Sequence, residues 1–149
     1  HTNLLNSQKS FFMDAQLSQH KLHDVVNMGL RAAVGVIFIV HGSGKFNPGF
    51  LGFMEMLGLP PEMQIPIALA ETVPGILLLI GVFTRLSASL LSIVMLGAIF
   101  YVKQAGSLTG ERGFELDLIL LAACLVVMIA GPGRISISHV IKKLPRCLH

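Results

Sequence analysis

Residues 64–83 read QIPIALAETVPGILLLIGVF, and Glu71 is the one charged side chain among them. A helix crossing roughly 30 Å of hydrocarbon needs about 20 mostly apolar residues, so this stretch has the length and composition of a membrane span. Three more stretches share that character: 25–46, 86–105 and 114–131. Asp24 is placed to cap the first, and the Gly-Leu-Pro-Pro sequence at 58–61 breaks the chain before the second. The third follows almost at once after Thr84-Arg85, which predicts an antiparallel hairpin of spans two and three. Glycines at 106–113 and the Gly131-Pro132-Gly133 sequence bracket the fourth, because proline cannot continue a helix without losing a backbone bond.

The composition agrees with a bilayer as solvent. Of 149 residues 53% are hydrophobic and 13% charged, against roughly 25% charged in an ordinary soluble domain, and the mean hydropathy is +0.73. The two cysteines, Cys124 and Cys147, exclude a disulfide scaffold and a zinc ribbon, and their spacing excludes a c-type haem attachment, which needs two close cysteines followed by histidine. The net charge of +3 reads as a membrane-side signal and not as nucleic-acid affinity, since the bases sit at the ends of apolar runs. The expected fold is therefore an all-α integral membrane four-helix bundle of the cell membrane. Residues 1–24 precede it as an interfacial or flexible segment, 25–133 form the transmembrane domain, and 134–149 are a basic tail.

Four spans put both termini on one side. Lys9, Lys21, Arg31, Arg85, Arg134, Lys142, Lys143 and Arg146 lie on that side, against Lys45, Lys103 and Arg112 on the other. The positive-inside rule then makes both termini cytoplasmic. The stretch 135–144 reads as an amphipathic anchor to anionic lipid. Leu4, Leu5, Phe11, Phe12 and Ala15 give the N-terminal segment one apolar side, suited to the interface or to a disordered tail.

Charges at membrane depth face a bundle interior or water, and so mark candidate sites. Glu71 lies about 10 Å into its span at 1.5 Å per residue, and Pro74 deprives the Ala70 carbonyl of its helical donor. Arg31, Val34, Phe38, His41 and Lys45 recur at helical spacing and are expected to share a face. Tyr101 and Lys103 reach the same depth from the third span. Glu115 and Asp117 open the fourth, and about 200° of rotation separates them, so only one of the two can point inward. Glu115 is taken as the inward acid. His41, Lys45, Glu71, Tyr101, Lys103 and Glu115 thus form the candidate site, either as a polar pocket for a small molecule, as a proton path, or as an ion pair that fixes helix register. No metal site is expected, because His20 and His23 have no further ligand nearby. Cys124 reads as a packing residue and Cys147 as a free or acylated thiol of the tail. Glycines 35, 42, 75, 81 and 97 are expected to allow close helix contact. There is no glycine-rich nucleotide loop, nucleophile elbow or facing pair of mid-span histidines, so any electrons come from another subunit or a lipid-soluble carrier.

The chain carries the strings Arg31-x3-Gly35-x2-Phe38-x2-His41-Gly42-x2-Lys45-Phe46, Gly58-Leu-Pro60, Glu71-x3-Gly75-x5-Gly81-x2-Thr84-Arg85, Gly113-Phe-Glu115 and Gly131-Pro-Gly-Arg134-Ile-Ser136, in that order. With these motifs the sequence resembles the DoxX family of small four-helix membrane proteins. The resemblance runs from about Met28 to Ser138. It implies a link to membrane redox chemistry, because the namesake group is associated with thiosulfate:quinone oxidoreductase and other relatives partner soluble redox or detoxifying enzymes. Carried over position by position, it points to His41, Lys45, Glu71 and Glu115. Relatives often place an acid shortly after the Gly-Pro-Gly-Arg-x-Ser segment, where this chain has Ser138 and His139. Two functions follow as expectations. One is a subunit of a quinone-linked oxidoreductase, with His41 or Lys45 donating to the quinone and Glu71 exchanging the proton. The other is a non-catalytic scaffold subunit packed against a larger membrane enzyme. A small proton-coupled transporter using Glu71 is a third.

Overall fold

The computed structural model describes residues 2–111 and 113–133, with the side chains of 2–3 and 9–20 excepted. The expectations for Arg112, for the tail 134–149 with its anchor and Cys147, and for the side chains of Phe11, Phe12 and Ala15 lie outside the described residues. Those described form helices and turns, with no strand among them.

Helix α1 (Thr2–Gly44) is continuous over 43 residues. The expected helix start at Asp24 is not there: Asp24 lies in the helix interior. No glycine or proline occurs between Thr2 and Met28, so nothing in that stretch interrupts the backbone ladder. The helix therefore runs on N-terminally beyond the apolar span, which covers Lys21–Gly44. After a turn, a short helix α2 (Gly49–Met56) follows, which the count of apolar spans does not include. Gly58, at φ 73°, ends that segment, and a 3₁₀ turn (Pro61–Met63) leads into α3 (Gln64–Ile80). Pro74 sits inside α3 without ending it.

Gly81 closes α3 in the left-handed conformation, φ 77°, and α4 (Thr84–Gly97) begins three residues later. Glycine enters that region without the steric penalty a Cβ would bring. Helix α4 runs on into a π-helical turn (Ala98–Val102), and α5 (Glu115–Ala130) follows a loop.

Helices α1 and α3 share the largest interface, and α4 packs on α3 and α5. The α1–α3 contact is antiparallel, because Gly35 meets Gly75 and Leu79 while Gly42 meets Ala68 and Thr72. A Cβ on Gly35 would lie 2.7 Å from the Gly75 carbonyl oxygen, and one on Gly42 would lie 2.2 Å from Thr72 Oγ1. Three of the five glycines expected to bring helices together thus do so. Gly81 instead ends a helix, and Gly97 faces open space with nothing within 4 Å of a built Cβ. Val34, Phe38, Leu78, Ala88, Leu91, Met95, Leu120, Cys124 and Val127 join α1, α3, α4 and α5 in one apolar core.

Three helical stretches are long and apolar enough to cross a membrane: Lys21–Gly44, Pro61–Ile80 and Thr84–Val102. Large apolar side chains such as Val40, Val73, Ile93 and Ile129 are exposed on the outer faces of the helices. A water-soluble domain rarely shows so continuous an apolar surface, whereas lipid tails solvate it. The chain is a multi-pass membrane protein.

Candidate functional site

One group of polar side chains gathers where α1 ends, α2 lies and α5 begins, while Arg31, Thr84 and Ser87 are buried in the other half of the bundle. Lys45, just past α1, forms an ion pair with Glu71 in the middle of α3. The Glu71 side chain is 3% exposed and that of Lys45 26%. The Lys45 ammonium also lies 5.6 Å from the ring centroid of Phe50 on α2, within cation–π range. Gln64 Nε2, at the start of α3, donates to the carbonyl oxygens of Lys45 and Asn47, both at 3.1 Å. One amide thus ties the exit of α1 to the entry of α3.

A second ion pair joins Lys103 to Asp117 on α5 at 2.5 Å. Lys103 Nζ also donates to the Gly113 carbonyl, 2.8 Å away. The π-helical turn delivers this lysine: its backbone N–H bonds to the Ala98 carbonyl at 3.0 Å, five residues back, which widens the last turn of α4. Gln104 and Ala105 follow at φ 51° and 50°, a left-handed region that non-glycine residues rarely enter. The loop then folds back, with Phe114 and Glu115 N–H groups donating to the Ser107 and Leu108 carbonyls. Gly113 has no room for a Cβ there, since Leu108 O would lie 2.5 Å from it.

Between α2 and the end of α4 is a cavity of about 550 Å³. Phe53, Met56, Leu57 and Val102 give it apolar walls, and Lys103, Gln104 and Glu111 supply polar groups. Beside it, Tyr101 Oη donates to the carbonyl of Leu57, one of the wall residues, at 3.2 Å. Among the described residues no three His, Cys, Asp or Glu side chains converge as metal ligands would.

The six residues singled out from the sequence therefore separate. Lys45 and Glu71 meet each other, Lys103 lines the cavity, and Tyr101 braces its wall. His41 and Glu115 are exposed. Helical phase explains His41: at 100° per residue, Gly42 and Lys45 lie within about 40° of the direction of Arg31, while His41 lies about 80° away. Asp117, not Glu115, turns inward. It shares the 3–4 spacing of Leu120, Cys124 and Val127, all buried, and that spacing was the signal to follow. Gln64, Gln104, Glu111 and the α2 side chains have no comparable signature, because the folding back of two connections brings them together.

The DoxX family profile matches residues 26–104. The Bacillus subtilis protein named "Putative oxidoreductase CatD" is 30% identical over 126 residues, covering 83% of this chain and 92% of its own. An uncharacterized membrane protein of Mycobacterium tuberculosis is 33% identical, covering 76% of this chain and 80% of its own. The Escherichia coli inner membrane protein YqjF is 29% identical, covering 83% and 97%. No solved structure matches the chain significantly.

Proposed function

This chain belongs to the DoxX family, and from that premise we propose that it is the membrane subunit of a quinone-linked redox complex, with the quinone head group seated in the cavity between α2 and α4. The cavity carries this reading. Its volume falls within the roughly 300–1,000 Å³ of small-molecule sites, and such sites pair apolar walls with a few placed polar groups. The residues fit a quinone head group: Phe53, Leu57 and Val102 offer apolar surface to a ring, while Lys103 offers a charged donor to a carbonyl oxygen. The oxidoreductase name of the Bacillus relative supports the redox assignment.

When bound, a quinone supplies the capacity to take up electrons together with protons; the electrons would come from a partner subunit. The chain's own residues hold and orient. Lys103, held by its ion pair with Asp117 and by its bond to the Gly113 carbonyl, presents its ammonium at the cavity wall. Glu71, expected from its depth to exchange protons, is assigned instead to holding α1 and α3 in register through Lys45.

Purified protein in nanodiscs should bind a radiolabelled quinone, and Lys103→Met should weaken binding about tenfold or more, the effect of losing a charged hydrogen bond. His41→Ala, a change to an exposed residue, should leave it unaltered. Equal affinities for wild type and Lys103→Met would refute the placement. In this reading α5 is the fourth span, about 24 Å long for its 16 residues, and both termini are cytoplasmic. The closed Lys45–Glu71 pair favours a second reading, a scaffold subunit without chemistry. It predicts that deletion lowers the partner enzyme's abundance and not its specific activity.

A further inference from the structure

Helix α2 connects a span that ends at Gly44 to one that begins at Pro61. Because those spans pack antiparallel, their connection lies at one membrane–water boundary. The sequence of α2, GFLGFMEM, is nonetheless apolar apart from Glu55. It sends one side chain, Met54, into the interior, where it is 1% exposed. Phe53 and Met56 line the cavity and are at the same time 38% and 68% exposed. A helix that buried its apolar side chains in the protein would show neither value. Apolar groups at that level, continuous with the lipid-facing surface of α1 and α3, are solvated by the bilayer interface.

The body of α2 is held by buried Met54 and by Phe50 beside the Lys45 ammonium. Its C-terminal end is fastened by Tyr101, whose hydroxyl donates to the Leu57 carbonyl across the cavity wall. Gly58, at φ 73°, follows directly.

Resting on the quinone reading above, we infer that α2 is a flap lying in the membrane interface, latched by Tyr101, and that the cavity is loaded from the bilayer by a ligand with an apolar tail and not from water. Phe53 and Met56 form the wall that such a tail passes. A compound with the same ring and no tail lacks the surface to follow them and reaches the cavity only through water.

The test uses the full chain in nanodiscs with two radiolabelled probes, a decyl-tailed benzoquinone and the same ring without the tail. Wild type should retain the tailed probe and not the tail-less one at equal concentration per lipid. Tyr101→Phe, which removes one hydroxyl and nothing else, should speed release of the tailed probe about fivefold, the effect of one lost hydrogen bond. Equal retention of both probes, or an unchanged release rate in Tyr101→Phe, would overturn the flap while leaving the quinone reading standing. Retention of neither probe by wild type would overturn both.

Discussion

At Glu71 the carboxylate is closed off, whereas the lysine that neutralises it still touches the surroundings. Deleting the two partners therefore has unequal consequences. Without Lys45 the carboxylate stays buried with no counter-charge, and removing one partner of a buried pair typically costs about 3–5 kcal/mol. Without Glu71 the flexible ammonium can swing outward along its apolar stem. Lys45→Met should destabilise the detergent-solubilised protein more than Glu71→Gln, and the double substitution should recover most of the loss. Thermal unfolding of the three variants checks this; strictly additive losses would show that the pair is not coupled. Depth and isolation made Glu71 legible from sequence alone. His41 and Glu115 were misplaced because a 3–4 pattern leaves adjacent positions competing for one seam, and the choice depends on how neighbouring helices cross.

Helices α1 and α3 are joined by glycines that face one another's backbone, so their separation is set by the absence of side chains. Lipid supplies no hydrophobic drive for helix association, and close backbone approach takes its place. Gly42→Ala would drive a methyl group into Thr72 and should destabilise by about 1–3 kcal/mol. Gly97→Ala meets nothing and should be neutral or stabilise by up to about 1 kcal/mol through helix propensity. Similar unfolding temperatures for the two variants would contradict the assigned seam. A third change belongs to the strained end of α4. Ala105→Gly relieves a left-handed alanine and should stabilise by up to about 1 kcal/mol, less the added freedom of the unfolded chain, in the same melts. The long apolar helices were legible because each carries its own periodicity. Helix α2 was not: its eight residues, between Pro48 and Leu57, are too short for a periodic signal and read as connection.

For the whole molecule, the charge bias along the sequence and the antiparallel packing together propose an orientation. In that proposed orientation the Thr84–Arg85 end of the hairpin would face the cytoplasm, and the α2 end with its cavity the opposite side. Single cysteines in a Cys124→Ala, Cys147→Ser background should report this in intact cells. A cysteine at Glu62 or Glu111 should react with a membrane-impermeant maleimide, and one at Arg85 should react only after permeabilisation. The reverse pattern would invert the topology and place the cavity at the cytoplasmic face. Sequence made the membrane class and the polar end legible. It left the cavity hidden, because the cavity's walls come from a flap and a widened helical turn whose meeting depends on tertiary packing.

The most direct test of a quinone seated between α2 and α4 is photo-cross-linking of an azido-quinone to the protein in nanodiscs, followed by peptide mapping. Adducts should concentrate at 53–57 and 102–111 and be displaced by unmodified quinone. Adducts spread over the lipid-facing surfaces of α1 and α5, undisplaced by competitor, would contradict the account.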